Sequence, residues 1–239
     1  MCGRYTLTNA DPAVLKARFG IDPVSDFDER PRFNIAPTDP VFAVRAGEEG
    51  KREPGTLRWG LLPGKWALDG GRPLINARAE TIETAPTFRT SFRRRRCIVP
   101  AEAFYEWRRH RDPDTNRIVR SEPFAIRRRT GEQLAFAGVW AIWRNPETAE
   151  RLYSLAIVTG PPNGLVATVH DRMPIVLDPG DWDTWLDEGA RLAELRPLLR
   201  PYPAGELLLY PVSPAVNNVR SSGAELLLPL TRWGDSAAR

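Results

Sequence analysis

The first residues of the chain carry the functional groups of an unusual nucleophile. Cys2 directly follows Met1, and removal of Met1, which is common before a small second residue, would leave an α-amine and a thiol on adjacent carbons. Such a 1,2-aminothiol condenses with an aldehyde to an imine, and the thiol then closes a five-membered thiazolidine ring. The ordinary pKa values, about 8 for the amine and about 8.5 for the thiol, predict that part of each group is reactive near neutral pH. The alternative is that Cys2 is a tolerated small residue at a frayed terminus.

Three internal polar side chains lie within apolar segments, where an unpaired polar group is costly. They are Asn76, Glu106 and His170. Each also has a structural explanation: a hydrogen-bonded amide for Asn76, the exposed alternate of a strand for Glu106, and a helix-end cap for His170. The three are candidate site residues, provided that the fold brings them together.

Composition argues against several other kinds of site. The cysteines, Cys2 and Cys97, provide no disulfide framework, and the histidines, His110 and His170, provide no spaced metal cluster. We therefore expect neither a metal nor a cofactor. A chain of 239 residues with 42% hydrophobic content can bury a sizeable core. The start of the sequence has no secretory signal and no apolar run reaches about 18 residues, so we expect a soluble cytoplasmic protein.

Arginine dominates the basic residues. Of 34 cations, 31 are arginine, because lysine occurs only at positions 16, 51 and 65. Guanidinium groups suit phosphate recognition, and the run Arg93–Arg96, just before an apolar strand, is typical of an electrostatic guide for a polyanion. A composition bias of the genome and a solvated edge are the alternatives.

The pattern of the remaining residues predicts many short strands with a few helices. Asp11, Pro12 and Gly20 have the spacing of an N-cap, a first helical residue and a C-terminal glycine, so they predict a two-turn helix. Further helices are predicted at 161–169 and from 178 onwards, the latter burying Trp182, Trp185 and Leu186. Strands are predicted at 41–46, 53–59, 97–100, 104–108, 122–128, 133–143, 152–159 and 207–212.

The strand spacing predicts the fold class. We expect an α+β protein whose core is a mainly antiparallel, curved or barrel-like sheet with several short flanking helices. Hairpin turns are predicted at 47–50 and 129–132, and 110–121 is predicted to be a projecting loop.

Seven sequence segments occur in the order typical of the SRAP family, the SOS response-associated peptidases. The chain resembles this family over residues 2 to about 229. The resemblance implies a single SRAP-like domain, 1–239, with a C-terminal tail at 230–239. The segments are Met1–Tyr5, Asn34–Pro37, Trp59–Gly60 with Pro63–Gly64, Ile75–Glu80, Phe104–Trp107, His170–Pro174, and Asn218–Arg220 with Gly223–Leu226.

The resemblance implies a sensor of abasic sites that crosslinks itself to single-stranded DNA and shields the lesion in the DNA damage response. The open sugar of an abasic site is an aldehyde, the electrophile that the Cys2 aminothiol requires. By analogy, Asn76 holds the sugar or the Cys2 amine, Glu106 relays protons, and His170 protonates the ring oxygen. An imine also acidifies the neighbouring carbon, so β-elimination as an AP lyase and self-processing of Met1 are expected side activities.

The same resemblance assigns DNA contacts. Arg4 and Arg78 are expected to bind phosphates flanking the lesion, whereas Arg172 and Arg220 are phosphate or structural contacts. Pro37 and Trp66 are expected to stack on neighbouring bases, although Trp66 also suits a core position. The remaining predicted contact is Asn34. Lys65 stands where bacterial members place a second tryptophan. The expected partner is single-stranded DNA containing abasic sites, bound by a monomer that is nucleoid-associated on DNA and that contacts no membrane.

Two other functions remain open at the level of sequence. One is a thiol autopeptidase that acts on its own first peptide bond, and the other is a non-covalent binder of single-stranded or modified DNA. An SDS-resistant adduct with abasic DNA would separate both from the crosslinking function. The crosslinking hypothesis also requires a buried Cys2, held by a strand beginning at Arg4 and Tyr5 against Asn76, Glu106 and His170.

Overall fold

The computed structural model describes residues 2–21, 28–47, 51–62 and 72–230. Strands dominate this part of the chain. They are β1 (Tyr5–Leu7), β2 (Arg32–Ile35), β3 (Pro40–Ala46), β4 (Arg52–Trp59), β5 (Asn76–Arg78), β6 (Arg96–Ala101), β7 (Ala103–Arg111), β8 (Ile118–Arg128), β9 (Leu134–Arg144), β10 (Arg151–Gly160), β11 (Met173–Pro174) and β12 (Leu207–Pro211).

The helices are short. The α-helices are α1 (Pro12–Phe19), α2 (Arg89–Arg94), α3 (Trp182–Leu186) and α4 (Leu192–Leu195). Turns of 3₁₀ helix occur at Val166–Thr168, Pro179–Asp181, Arg196–Leu198, Ala204–Glu206, Pro214–Asn217 and Ala224–Leu227. Among the described residues, no helix has the length and apolar character needed to cross a membrane.

The described strands form two sheets. One has the order β12-β8-β7-β1-β2, and the other has the order β11-β10-β4-β3-β6-β9 with β5 alongside β10. Because β9 also pairs with β10, the strands β10, β4, β3, β6 and β9 close into a ring. β4 and β5 run parallel to β10, and the other described pairs are antiparallel. The predicted α+β class with a mainly antiparallel, curved sheet is confirmed.

Aromatic side chains join the two sheets. Tyr5 of β1 meets Trp59 of β4 with ring centroids 5.3 Å apart. Tyr5 and Phe104 each meet Phe136 of β9 edge-on at 5.9 Å. Such pairs add about 0.5–1.5 kcal/mol each beyond their buried area. The N-terminal strand is therefore packed directly against the ring.

Local signals predicted several elements correctly. The Asp11 side chain accepts a hydrogen bond from the Ala13 N–H at 2.7 Å, and Gly20 adopts the left-handed conformation at φ 62° that ends α1. Trp182, Trp185 and Leu186 are buried as predicted. The predicted β3–β4 hairpin is also confirmed by antiparallel pairing, although residues 48–50 of its turn lie outside the described residues.

The predicted hairpin at 129–132 is wrong. β8 pairs with β7 and β12, whereas β9 pairs with β6 and β10, so the two strands lie in different sheets. The turn itself exists, because the Gly131 N–H bonds the Arg128 carbonyl at 3.2 Å. The Arg129 N–H, however, bonds the Glu206 carbonyl at 2.9 Å. A turn signal is local, whereas the partner of each strand is selected by the rest of the fold.

Two other predicted boundaries need correction. The excursion 110–121 is not a loop throughout, because β7 continues to Arg111 and β8 begins at Ile118, leaving 112–117 as the connection. The predicted helix at 161–169 is a 3₁₀ turn at Val166–Thr168. Residues 161–163 are not helical. The Asn163 side chain instead accepts from the Val166 N–H at 2.9 Å.

Candidate functional site

Strand β1 fixes Cys2 in the interior. Tyr5 of this strand pairs with Ile35 of β2 on one side and with Phe104 of β7 on the other. One step earlier, the Tyr105 N–H donates to the Arg4 carbonyl at 3.0 Å. Cys2 is 0% exposed. The expectation of a buried Cys2 is confirmed, and the alternative of a frayed terminus is wrong for Cys2.

The other end of β1 is anchored by Glu102. Its carboxylate accepts from the Thr8 N–H at 2.5 Å and from the Asn9 N–H at 3.0 Å. Gln133 donates to the same carboxylate at 3.1 Å. Burial raises the pKa of Glu102 above its ordinary value, and these hydrogen bonds oppose the rise. β1 is therefore held at both ends, which sharply limits how far Cys2 can move.

The Glu106 carboxylate is close enough to the Cys2 thiol to influence its ionisation, because its charge raises the pKa of Cys2 in addition to the effect of burial. Continuing the register of β1 and β7 places Glu106 opposite Gly3, next to Cys2. Glu106 is 1% exposed, so the alternative of an exposed strand residue is wrong. Burial raises the pKa of Glu106 to about 7. Near neutral pH this carboxyl group can therefore both accept and donate a proton.

The Cys2 thiol is less acidic than the sequence suggested. Burial raises its pKa well above the ordinary value, and the Glu106 carboxylate raises it further. Both effects lower the ionised fraction of the thiol below what its ordinary pKa predicts, because the sequence did not reveal how completely Cys2 is desolvated. Ionisation of this sulfur consequently needs a proton acceptor within the site.

His170 faces the same carboxylate. The 3₁₀ turn at Val166–Thr168 delivers it, and the His170 N–H bonds the Val166 carbonyl at 2.9 Å. Its Nε2 lies 3.7 Å from Glu106 Oε2, and the side chain is 11% exposed. Burial lowers the pKa of His170 below its ordinary value. The ring is therefore neutral near neutral pH.

Asn76 has an unsatisfied amide. Its strand β5 runs parallel to β10, pairing Asn76 with Ile157. Both polar atoms of the Asn76 side chain are buried, and neither has a hydrogen-bond partner among the described residues. A buried orphan of this kind costs about 1–3 kcal/mol, so it marks a place that a polar ligand group would fill. The alternative of a hydrogen-bonded structural amide is not what the structure shows.

Arg4 and Asn34 join the start of the chain to residues 213–221. Arg4 Nη1 donates to Asn34 Oδ1 at 3.0 Å and to the Val216 carbonyl at 2.8 Å. Asn34 Nδ2 donates to the carbonyls of Asn218 and Ser221, each at 3.0 Å. Both the oxygen and the nitrogen of the Asn34 amide thus have hydrogen-bond partners within the protein. DNA contact by either residue stays a prediction.

The remaining predicted contacts differ in their availability. Arg78 and Arg220 are exposed, and Pro37 is half-buried. The Arg172 side chain is 15% exposed and is paired with Glu80, whose side chain is 45% exposed. Their contacts with DNA stay predictions. Trp66, together with Lys65, lies outside the described residues.

The arginine run is divided between surface and core. Arg93 and Arg94 are exposed on α2. Arg96 is buried, and its guanidinium donates to the carbonyls of Phe92 and Trp185 at 2.6 Å each, and to that of Asp187. The prediction of a continuous guide for a polyanion is therefore wrong at Arg96, because a residue that begins β6 turns inward.

The sequence reasoning missed Arg108 and Arg109, which follow Glu106 on β7. Arg108 Nε donates to the Thr168 carbonyl at 3.2 Å, bracing the turn that delivers His170. Arg109 is exposed, and its charge lowers the pKa of both Glu106 and His170. Arg109 could have been found from the sequence, because an arginine three residues after a candidate site carboxylate is placed to influence its pKa. No sequence signal links Arg108 to a partner 60 residues away.

Thr38 was also missed. It follows Pro37 and has φ 80°, a conformation that costs a β-branched residue energy. The turn is held by hydrogen bonds on both sides: Thr38 N–H to the Trp59 carbonyl at 2.7 Å and Asp39 N–H to the Ala36 carbonyl at 3.2 Å. A positive φ is normally predicted at a glycine, so the threonine at this position gave no indication of it.

Fold and site together define a class of protein with a buried thiol at its second residue. In this class the thiol lies beside a carboxyl group of raised pKa, and a neutral imidazole faces that carboxyl group. Among the described residues, no group of three His, Cys, Asp or Glu side chains is arranged to hold a metal ion. The arrangement suits nucleophilic and acid–base chemistry.

The chain belongs to the SOS response associated peptidase (SRAP) family, whose model matches residues 1–219. It is 36% identical over 231 residues to abasic site processing protein YoqW of Bacillus subtilis, covering 95% of this chain and 99% of that protein. It is 32% identical over 238 residues to abasic site processing protein YedK of Escherichia coli, covering 96% and 100%.

A crystal structure of a Bacteroides thetaiotaomicron protein has the same fold. It superposes with a TM-score of 0.82 at 22% identity, over 96% of this chain and 100% of the other.

Proposed function

We propose that this protein processes abasic sites in single-stranded DNA by binding the opened sugar covalently through Cys2. The observation that carries the proposal is the complete burial of Cys2 beside the Glu106–His170 pair. It is supported by relatives that are named abasic site processing proteins. An abasic deoxyribose in its open form is an aldehyde, and an aminothiol is a specific trap for aldehydes.

The first step needs a free amine on Cys2. Hydrolysis of the Met1–Cys2 bond consumes one water and releases that amine. The amine nitrogen attacks the aldehyde carbon, and loss of one water gives the imine. Glu106, with a pKa of about 7, takes a proton from the attacking nitrogen and returns it to the departing oxygen.

The second step closes the ring. The Cys2 sulfur attacks the imine carbon and forms a C–S bond, while the thiol proton moves through Glu106 to the imine nitrogen. No atom is lost in this step. Because burial keeps the thiol protonated, transfer of this proton to the carboxylate precedes or accompanies attack. The product is a thiazolidine, in which both nucleophiles of Cys2 are used.

Asn76 and His170 act on the sugar. The unsatisfied amide of Asn76 binds a sugar hydroxyl or the Cys2 amine. His170, with its ring beside Glu106, passes a proton from the Glu106 carboxyl group to the ring oxygen, while the C1 hydroxyl returns a proton to the Glu106 carboxylate and the closed sugar opens. The exposed arginines Arg78 and Arg220 bind the flanking phosphates. β-Elimination of the 3′ phosphate from the imine is a side reaction, which makes AP lyase activity a secondary outcome.

The test is incubation with single-stranded DNA that contains one abasic site, followed by denaturing electrophoresis. We expect an SDS-resistant, heat-stable adduct with the wild-type chain. The matched controls are Cys2→Ala, Cys97→Ala and a chain extended at its N-terminus. The extended chain and Cys2→Ala should form no heat-stable adduct, whereas Cys97→Ala should form it at the wild-type level.

The outcomes separate the competing functions. Release of Met1 without any DNA adduct would support a thiol autopeptidase and overturn the proposal. DNA binding that disappears on denaturation would support a non-covalent binder and overturn it as well. A heat-stable adduct formed equally by Cys2→Ala would contradict the thiazolidine, since that variant has no sulfur at the reacting position.

A further inference from the structure

Strands β7 and β8 continue past the candidate site as a two-stranded hairpin, residues 107–122. The strands β1 and β12 pair with β7 and β8 only as far as Phe104 and Phe124. Beyond Glu106, β7 and β8 pair with each other up to Arg111 and Ile118, and no third described strand pairs with them there. At about 3.4 Å per residue, the hairpin strands extend about 17 Å beyond Glu106.

The base of this hairpin is fixed beside the candidate site. Arg108 Nε donates to the Thr168 carbonyl at 3.2 Å, in the 3₁₀ turn that precedes the imidazole of the site. On the other face of the strand, Trp107 Nε1 donates to Asn217 Oδ1 at 2.7 Å. Arg4 Nη2 lies 3.5 Å from the carbonyl of the same Asn217 and donates to it. The face that carries Trp107 therefore begins next to Arg4, a predicted phosphate contact.

Two arginines continue this face away from the site. Alternate residues of a strand share a face, so Arg109 and Arg111 lie on the same face as Trp107. The register adds the residues of β8 that lie opposite these three. All residues of the hairpin are described, and this face contains no carboxylate. We call it the cationic face, and its residues are Trp107, Arg109, Arg111, Ile118, Ser121 and Pro123.

The opposite face of the hairpin holds its acidic residues. The Glu122 carboxylate bonds His110 Nε2 at 2.8 Å and also pairs with the Arg120 guanidinium. At the end of the hairpin, the Asp112 N–H donates to the Arg117 carbonyl at 2.9 Å, which places these two residues opposite each other. The arginines on this face therefore have acidic neighbours, unlike those on the cationic face.

The cationic face is available to a partner. Arg109 and Arg111 are both exposed, and neither forms an ion pair with a described residue. Arg111 Nη1 donates only to a backbone carbonyl, that of Asn116, at 2.8 Å. Ile118 and Val119 at the end of the hairpin are 48% and 66% exposed. Guanidinium groups bind phosphate oxygens, and exposed apolar side chains beside them can pack on bases. This combination suits a nucleic-acid strand.

We propose that the cationic face of the β7–β8 hairpin binds phosphates of the DNA strand several nucleotides away from the abasic site. The proposal rests on the proposed function, because the site at the base of the hairpin must hold the lesion. Nucleotides of a stacked strand advance about 3.4 Å each, so a hairpin reaching about 17 Å spans about five nucleotides. The contact directs the strand outside the site and takes no part in the chemistry.

The test compares Arg111→Gln with Arg117→Gln, which removes the same charge from the opposite face. Binding is measured by fluorescence anisotropy on DNA that carries tetrahydrofuran in place of the abasic sugar; this group has no aldehyde and cannot react. The long DNA has about 12 nucleotides on each side of the lesion, more than the hairpin spans, and the short DNA has about two.

We expect Arg111→Gln to weaken binding of the long DNA about threefold or more and to reduce its salt slope by about 0.7, the value for one phosphate contact on a single strand. The same variant should bind the short DNA as the wild type does. Arg117→Gln should leave both affinities within about 1.5-fold. Arg111→Lys keeps the charge and should retain most of the binding.

Three results would overturn the hairpin contact. The first is unchanged affinity of Arg111→Gln for the long DNA, and the second is an equal loss on the long and short DNA, which would place the contact at the lesion. The third is an equal loss in Arg111→Gln and Arg117→Gln, which would be a general effect of net charge. Absence of any adduct between the wild type and DNA with a true abasic site would instead overturn the proposed function, and the anisotropy measurements would still decide the contact.

Discussion

The site around Cys2 and the ring of strands around Cys97 contain equally buried thiols. Both cysteines are 0% exposed, and burial raises the pKa of both above the ordinary value. Cys97 lies on β6 between Arg45 and Gly138, where strand pairing closes in on it. Cys2 lies beside the carboxyl group of Glu106. The two thiols therefore differ in their charged neighbours and not in their burial: the Glu106 carboxylate acts on Cys2, whereas the Arg45 guanidinium acts on Cys97.

The two regions also contain different hydrogen-bonding groups. Near Cys97, the Trp185 indole N–H donates to the Cys97 carbonyl at 2.9 Å, and the Arg96 guanidinium bonds backbone carbonyls. Arg45, which pairs with Cys97, nevertheless has a buried Nε without a partner among the described residues. The Asn76 amide of the candidate site has no partner among the described residues either, so an unmet hydrogen bond does not by itself distinguish the two regions.

The largest predicted effect separates the two cysteines. Cys2→Ala should abolish the heat-stable DNA adduct, because the variant has no sulfur with which to form the C–S bond of the thiazolidine. Cys97→Ala should leave the rate of adduct formation within about twofold and lower stability by roughly 1 kcal/mol through the small cavity it creates. Adduct yield and urea unfolding of both variants check this. Equal adduct loss in the two variants would remove the distinction between the regions.

Glu106→Gln should slow adduct formation by about 10²–10⁴-fold, because the amide cannot transfer the protons of amine and thiol. Single-turnover rates between pH 5 and pH 9 check the prediction. In the wild type the carboxylate form should be required, so the rate should rise through a pH of about 7. A pH profile with the same rise in Glu106→Gln would assign it to another group.

The same variant should have the opposite effect on stability. A folded-state pKa of about 7 lies above the ordinary value of 4.5, so Glu106 binds its proton more tightly in the folded chain. Wild-type stability from this group is present below pH 4.5 and is lost as the pH rises through about 7. Glu106→Gln removes a penalty of order 3 kcal/mol at pH 8 that is absent at pH 4. Urea unfolding at both values measures the difference, and an equal effect at the two would contradict the raised pKa.

Gly138→Ala should disturb the Cys97 region and not the Cys2 region. A Cβ at Gly138 would lie 2.7 Å from Cys97 Sγ, so we expect destabilisation of about 1–3 kcal/mol from overpacking. The double variant with Cys97→Ala should recover most of that loss, because the clashing sulfur is gone. Thermal unfolding of the single and double variants measures this recovery, and an additive loss would rule out the clash as the cause.

Thr38→Gly should give the smallest effect and is expected to be stabilising. Glycine adopts φ 80° without the steric cost borne by threonine. After the entropy that glycine loses on folding, we expect a gain of roughly 1 kcal/mol in the free energy of unfolding. Thr38→Ala retains a Cβ and is the control, for which no such gain is expected. A stability loss in Thr38→Gly would show that the side chain, and not the backbone, matters at this turn.

Sequence patterns predicted the features that depend on near neighbours. Asp11 and Gly20 identified α1, and the burial of Trp182 and Trp185 followed from helical spacing. The turn at 129–132 was found, but the sheet change after it was not, because strand partners depend on residues far along the chain.

The candidate site, like the fold, has features that the sequence predicted and features that it did not. Family segments identified Cys2, Glu106 and His170 as candidates, and their types indicated the chemistry. The raised pKa of Cys2 and the pairing of Arg172 with Glu80 could not be read from the sequence. Both depend on what the fold packs around a residue, which no local pattern records.

The central claim is that the amine and the thiol of Cys2 are both bound to the sugar carbon. Proteolysis of the adduct after arginine isolates residues 2–4, and mass spectrometry with thiol alkylation and amine labelling tests both groups. We predict a peptide that starts at Cys2, carries the sugar remnant, and resists both reagents, while Cys97 is alkylated normally after denaturation. A remnant on a peptide whose Cys2 thiol is still alkylated, or an adduct on a chain that retains Met1, would contradict the account.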